Sequence, residues 1–510
     1  MRCVVSEVSR EEIRRDQVTS ALCRAEATIR EIRPGVLRGA NPAAVSPVRD
    51  RSSSEVSVRQ PSGGPVEAQP AAGRRLVLLL AVTCGVAVGN LYFPQAISPL
   101  IASGLRVQPD VAALVVTAVQ LGYALGIFLL VPLGDRLPHR PLVVTLLGLT
   151  ALNLLAAGAA PALPPLVGAG VLVGVTTVIA PIVVALAAGL VPDDRRGAVT
   201  GTLLSGSIGG MLLSRAFGGS VGEWLGWRAP YLMAAAAVLL LATVLAFALP
   251  ATTPSSSQRY PALLAETLRL LRSEPDLRRS CFYQATIFGA FTAVWTGAAL
   301  LLTSPTYGMG AQAVGVLALV NIATMLGTPF AGRQVDRRGS DTVNLVCMLA
   351  VIASAAVLWA GGLGGVTGLV ALGLGTLILD VAMQSGMIAN QVRIFALRPE
   401  ARSRLNTAYM TCAFLGGGLG SWLAARAFTR FGWQGVCALI AALATLALAR
   451  HFLHRRHNPR TPATSIAQTS IAPTSVASTF VQPASGSSSG SSSASSSSTE
   501  VPGSTTTRPK

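Results

Sequence analysis

The sequence predicts an all-α membrane protein whose twelve transmembrane helices form two pseudo-symmetric six-helix bundles. Three observations along the 510 residues carry this: twelve apolar runs of spanning length, arginines crowded on one side of them, and a second half that repeats motifs of the first. Composition agrees, with 51% hydrophobic residues, a mean hydropathy of +0.55 and only 12% charged residues, where a soluble domain carries about 25%.

A bilayer core of about 30 Å needs roughly 20 apolar residues per helix. The first half supplies runs at 76–101, 111–133, 141–160, 163–191, 198–221 and 231–249. The second supplies 281–302, 313–331, 343–363, 366–388, 405–428 and 434–452. The domains expected are a disordered N-terminal tail (1–74), a first bundle (75–250), a cytoplasmic inter-bundle loop (251–279), a second bundle (280–453) and a disordered Ser-rich tail (454–510). The tails are too polar to offset the entropy of ordering them. The first apolar run begins far behind an arginine-bearing stretch, which reads as a span and not a cleavable signal.

With a cytoplasmic N-terminus, the inner joints hold 16 Arg and the outer joints only Arg106, Arg228, Arg426 and Arg430. Such asymmetry places both termini in the cytoplasm, and the inner (plasma) membrane is the expected location. Basic residues outnumber acidic ones 40 to 22, but 39 of them are Arg dispersed between apolar runs. The charge belongs to loops and tails, and no nucleic-acid partner is expected. The single lysine is Lys510, which excludes a P-loop lysine, a lysine Schiff base and hence an ATP-hydrolysing pump within this chain. Seven cysteines without a CxxC pair read as small buried hydrophobes. His451, His454 and His457 lie among Arg450, Arg455 and Arg456 and read as a membrane-exit anchor, not a metal site. No metal and no cofactor are called for.

The repeat fixes the architecture. Gln120, Gly126, Asp135 and Arg136 recur 201 residues later as Asn321, Gly327, Asp336 and Arg337. Pro192, Arg195 and Gly210 recur 207 residues later as Pro399, Arg402 and Gly417, and Gly226-Trp227 recurs as Gly432-Trp433. Two halves about a membrane-normal pseudo-axis imply a substrate site at the midplane between them.

The turns after spans 2 and 8 read GDRLPHR (134–140) and GRQVDRRGSD (332–341). Here the chain resembles the major facilitator superfamily, whose loop hallmark is G-x-x-x-D-R-x-G-R. The second copy matches at Gly332, Asp336, Arg337 and Gly339; the first keeps Asp135, Arg136 and Arg140 but has Val131 and Pro138 where the family prefers glycine. The resemblance implies that these residues latch the outward-facing state. LVPDDRRGAVTG (190–201) is similar to the joint before helix 5 of the drug:proton antiporter branch and its sugar (arabinose) efflux relatives. Span 5 then matches that branch's glycine motif at Gly210, Gly218 and Gly219, with Ser214 and Arg215 replacing its glycine and proline. The branch carries an arginine in helix 4 tied to proton coupling; residues 168–174 have none.

Two ionisable residues lie well inside spans, Arg215 in the fifth and Asp380 in the tenth, and such residues are functional candidates. Asp380, Gln384, Met387 and Gln391 fall on one helical stripe. At 1.5 Å per residue Arg215 sits roughly a dozen ångströms from Asp380 in depth, which argues for a packing or gate role and against a direct pair. Span 7 carries Gln284, Phe288, Phe291 and Trp295 on one stripe, with Thr292 and Thr296 beside it. Asn90 and Gln95 flank Pro94 in span 1, and the resemblance implies a central cavity that these stripes border. Substrate or coupling candidates are therefore Asp380, Gln384, Gln391, Asn90, Gln95, Phe291 and Trp295, whereas Gln120 and Asn321 are expected to hydrogen-bond between helices.

The function expected is a monomeric secondary transporter exporting a small organic solute by alternating access, coupled to protons. The rivals are an uncoupled facilitator or importer and a non-transporting receptor-like protein. An enzyme would need a clustered catalytic set, and no H-E-x-x-H is present.

Overall fold

The computed structural model describes residues 73–250 and 258–457. The two tails expected to be disordered lie outside the described residues except at their inner ends, where 454–457 continue the last helix and Arg74 begins the first. Helices α1 (Arg74–Leu105), α2 (Pro109–Gly134), α3 (His139–Gly158), α4 (Leu163–Gly189), α5 (Asp193–Leu225) and α6 (Ala229–Ala248) make up the first half. The second half runs α7 (Pro275–Leu302), α8 (312–338), α9 (Ser340–Trp359), α10 (Gly365–Leu397), α11 (402–431) and α12 (433–457). Each of the twelve predicted runs falls on one of these helices.

Among the described residues ten helices are long and apolar enough to cross a membrane. One of them is two in succession, because Gly432 (φ 65°, ψ −157°) breaks 402–457. At Gly435 an added Cβ would lie 2.8 Å from the Ala427 carbonyl oxygen, so α12 returns directly against α11. Helix α8 is interrupted by a tight turn at Asn321–Ala323. Helix α4 breaks at Thr177 and Val178, because Pro181 has no N–H to give the carbonyl four residues back.

Lipid provides no hydrophobic force between helices, so close packing through small residues decides which helices pair. In the first half an added Cβ at Gly206 or Gly210 would run into the backbone of Ala81 or Gly85, and in the second one at Gly416 or Gly420 would run into Ala285 or Gly289. The α1–α5 contact is thus repeated as α7–α11. It also corrects the register: the packing counterpart of Gly210 is Gly420, three residues beyond Gly417, which instead faces Phe288.

The stretch read as an inter-bundle loop contains a linker helix, Tyr260–Ser273, and α7 starts at Pro275. The linker helix buries Leu263, Thr267 and Leu270, a spacing of one helical face. Leu270 joins Leu277, Cys281, Ile394, Leu405 and Tyr409 in a small second core at one end of the second half. The Tyr260 hydroxyl donates to the Leu129 carbonyl of α2 at 2.7 Å, and Glu266 pairs with Arg404 of α11 at 2.9 Å. The linker therefore touches both halves.

Candidate functional site

Three predicted site residues, Gln95, Trp295 and Asp380, meet Arg215 at the centre, each on a different helix. The Gln95 side-chain oxygen Oε1 of α1 accepts from Arg215 Nε of α5 at 3.0 Å. The Arg215 guanidinium lies over the Trp295 ring of α7 at 4.2 Å. Trp295 Nε1 donates to Asp380 Oδ1 of α10 at 3.3 Å. Arg215 and Trp295 are 0% exposed and Asp380 is 2%, so the charges are shut away from water in this state.

Aromatic rings hold the arginine. Its Cζ stands 4.9 Å from the Tyr92 ring and 5.5 Å from Phe291, an attraction that grows when the cation is desolvated. Phe291 stacks on Phe288 with centroids 5.4 Å apart, and Phe288 meets Phe414 of α11 edge-on at 4.9 Å. The polar groups are not all paired. Gln95 Nε2, Arg215 Nη2 and Asp380 Oδ2 are buried without a hydrogen-bond partner.

Depth along the two helices separates Arg215 from Asp380. The structure contains no ion pair between them, but Trp295 contacts both, so Arg215 is part of the central cluster. Residue numbers give depth; they do not give the rotation that points two side chains at one indole.

The other candidates divide. Asn90 Nδ2 donates to Thr177 Oγ1 at 3.4 Å, and Thr177 in turn donates to the Ala87 carbonyl at 3.0 Å, so Asn90 ties α1 to the break in α4. Gln384 is buried on the Asp380 face, whereas Met387 and Gln391 are half-buried. The neighbouring Asn390 turns inward and exchanges amide hydrogen bonds with Asn344 of α9 at 3.1 and 3.2 Å. Thr292 and Thr296 bond to Gly417 and Ser421 and clamp α7 to α11. Gln284 accepts from the Tyr409 hydroxyl at 2.8 Å. Asn321 donates to Thr376 at 3.1 Å, as expected of an interhelical amide, while both side-chain polar atoms of Gln120 are buried without a partner. His451 is buried and its Nδ1 lies 3.4 Å from the Tyr283 hydroxyl.

The span 5 glycines serve two neighbours. Gly210 and Gly218 face Gly85 and Phe93 of α1, whereas Gly219 faces Ala311 at the start of α8. Glu223 adds a bond across the halves, accepting from the Ala311 N–H at 2.6 Å. With Gly315 packed against Ala216, these contacts close the end of the molecule that the arginine asymmetry assigns to the outside.

The two loop motifs behave differently. Asp135 is half-buried; desolvation raises its pKa above the ordinary carboxylate value, opposed by the positive charges of Arg404 and His139. Arg136 and Arg140 are exposed. In the second copy Asp336 and Arg337 are exposed, Gly332 lies within α8, and Gly339, with φ 77°, ends that helix. The acid engaged there is Asp341 in the first turn of α9, which pairs with both Arg393 of α10 and Arg279 of α7.

The sequence profile of the Major Facilitator Superfamily matches residues 78–394. The putative uncharacterized transporter YgaY of Escherichia coli is 34% identical over 373 residues, 73% of this chain and 94% of that protein. A probable transporter of Streptomyces coelicolor is 34% identical over 393 residues, covering 77% and 90%. A chloramphenicol resistance protein of Streptomyces lividans is 29% identical over 281 residues, covering 54% and 70%. Among solved structures, the nucleoside transporter NupG shares the fold with a TM-score of 0.59 at 14% identity, over 74% of this chain and 99% of that one.

Proposed function

The chain belongs to the major facilitator superfamily and is a multi-pass membrane transporter, and on that premise we propose that it exports a small organic solute in exchange for protons. The halves rock about the Gln95–Arg215–Trp295–Asp380 cluster, which alternately faces each side. The observation that carries this reading is Asp380: an acid enclosed at mid-membrane, held through one oxygen by Trp295 while the other has no partner. An acid in such surroundings can take up a proton when one side opens and release it when the other does. The span 5 glycines and the chloramphenicol resistance relative support export. The working unit is a monomer in the inner membrane with both termini cytoplasmic.

A second reading, an uncoupled facilitator or importer, is favoured by Arg215, whose fixed positive charge near Asp380 would let that carboxylate stay ionised throughout the cycle. The test is proton flux in reconstituted vesicles with a panel of lipophilic drugs and sugars, using the wild type and Asp380→Asn. Solute-triggered proton movement that disappears in the variant is the expected result. Solute movement without proton flux, unchanged in the variant, would overturn coupling at Asp380; movement of no solute would leave the receptor-like reading standing.

A further inference from the structure

We infer that the central cluster takes an amphoteric solute: a compact molecule whose carboxylate meets Gln95 and Arg215, whose amine or other donor meets Asp380, and whose apolar body lies against Trp295 and Phe291. This deepens the transport-site reading above and rests on it.

The unpartnered atoms are ordered along the cluster. Two donors, Gln95 Nε2 and Arg215 Nη2, belong to side chains joined by a 3.0 Å hydrogen bond. Beyond the Trp295 ring the free atom is an acceptor, Asp380 Oδ2. Buried polar atoms without partners are costly and rare in native proteins. Three in one chain of contacts make a template: a pair of donors suits the two oxygens of a carboxylate, and a lone carboxylate oxygen suits an N–H or O–H.

Charge balance points the same way. The cluster holds one guanidinium and one carboxylate, and a buried charge needs an opposite partner. A purely cationic guest would sit beside Arg215, whose guanidinium lies over one side of the Tyr92, Phe291 and Trp295 rings. A purely anionic guest would face Asp380. A guest with both ends leaves neither charge against its like. Its donor end also occupies the oxygen that a proton would take, so solute and proton exclude each other at Asp380, as exchange requires.

The test is tryptophan fluorescence titration of the full chain in detergent with three compounds sharing one phenylalkyl body: phenylalanine, 3-phenylpropionate and phenethylamine. Phenylalanine is expected to half-saturate at a concentration about ten-fold or more below either single-ended compound. Gln95→Glu keeps the acceptor for Arg215 Nε and removes the free donor; it should weaken phenylalanine and 3-phenylpropionate and spare phenethylamine. Asp380→Asn should weaken phenylalanine and phenethylamine and spare 3-phenylpropionate. A single-ended compound binding as tightly as phenylalanine, or no saturable signal from any of the three, overturns the inference. Phenylalanine binding that moves no protons would refute coupling and leave this inference intact; proton movement driven by phenethylamine and not by phenylalanine would do the reverse.

Discussion

The two halves share helix pairings and differ in where their acids go. In the first, the loop acid Asp135 acts across the interface, in the field of Arg404 from α11. In the second, the matching Asp336 is exposed, while Asp341, five residues on, gathers Arg279 and Arg393 inside its own half. A repeated motif therefore need not make a repeated contact. One copy places its acid in the field of the other half's arginine, and the region around the other stiffens a single bundle.

The sharpest way to break this comparison is to remove each acid of the second half in turn. Asp341→Asn leaves two nearly buried guanidiniums without their shared carboxylate and is expected to destabilise by about 3–5 kcal/mol. Asp336→Asn, at an exposed position, should stay within about 0.5 kcal/mol. Thermal unfolding in detergent reads both, and equal losses would refute the division of roles.

Next in size is the glycine contact that the halves share. Gly210→Ala and Gly420→Ala each push a methyl into facing backbone and should cost about 1–3 kcal/mol. Gly209→Ala meets no atom within 4 Å and should behave as wild type or slightly better. If Gly417→Ala proved the match of Gly210→Ala while Gly420→Ala was silent, the register read from packing would be wrong.

The smallest effect distinguishes the repeat-matched amides. Asn321→Leu gives up the bond to Thr376 and is expected to cost about 1 kcal/mol. Gln120→Leu removes an amide with no partner and should be neutral or stabilising, by up to about 1 kcal/mol. A loss at Gln120 as large as that at Asn321 would mean the first-half amide has a binding role.

Much of this architecture was legible beforehand. Spans follow from the length of apolar runs, and the repeat was visible in loops where Gly, Asp and Arg stand out against a background of Ala, Leu and Val. Asp380 announced itself as a lone acid in an apolar run, and Trp295 by the stripe of span 7. Rotation was not legible: the stripe ending at Gln391 put a half-buried residue in the site, while Asn390, one residue away, reaches Asn344. The linker helix escaped because its apolar face is short and set among charges, although Leu263, Thr267 and Leu270 kept helical spacing behind Pro261. Arg215 was missed as a member of the cluster because its link to Asp380 passes through the two ends of one indole.

Arg404 stands between two acids, Asp135 of the first half and Glu266 of the linker helix. Only Asp135 belongs to a body that would depart if α2 drew away from α11. Glu266, carried on the linker that packs into the second half's small second core, would stay beside the guanidinium throughout. A separation there would not leave a bare cation, because the connecting segment carries its own counter-ion.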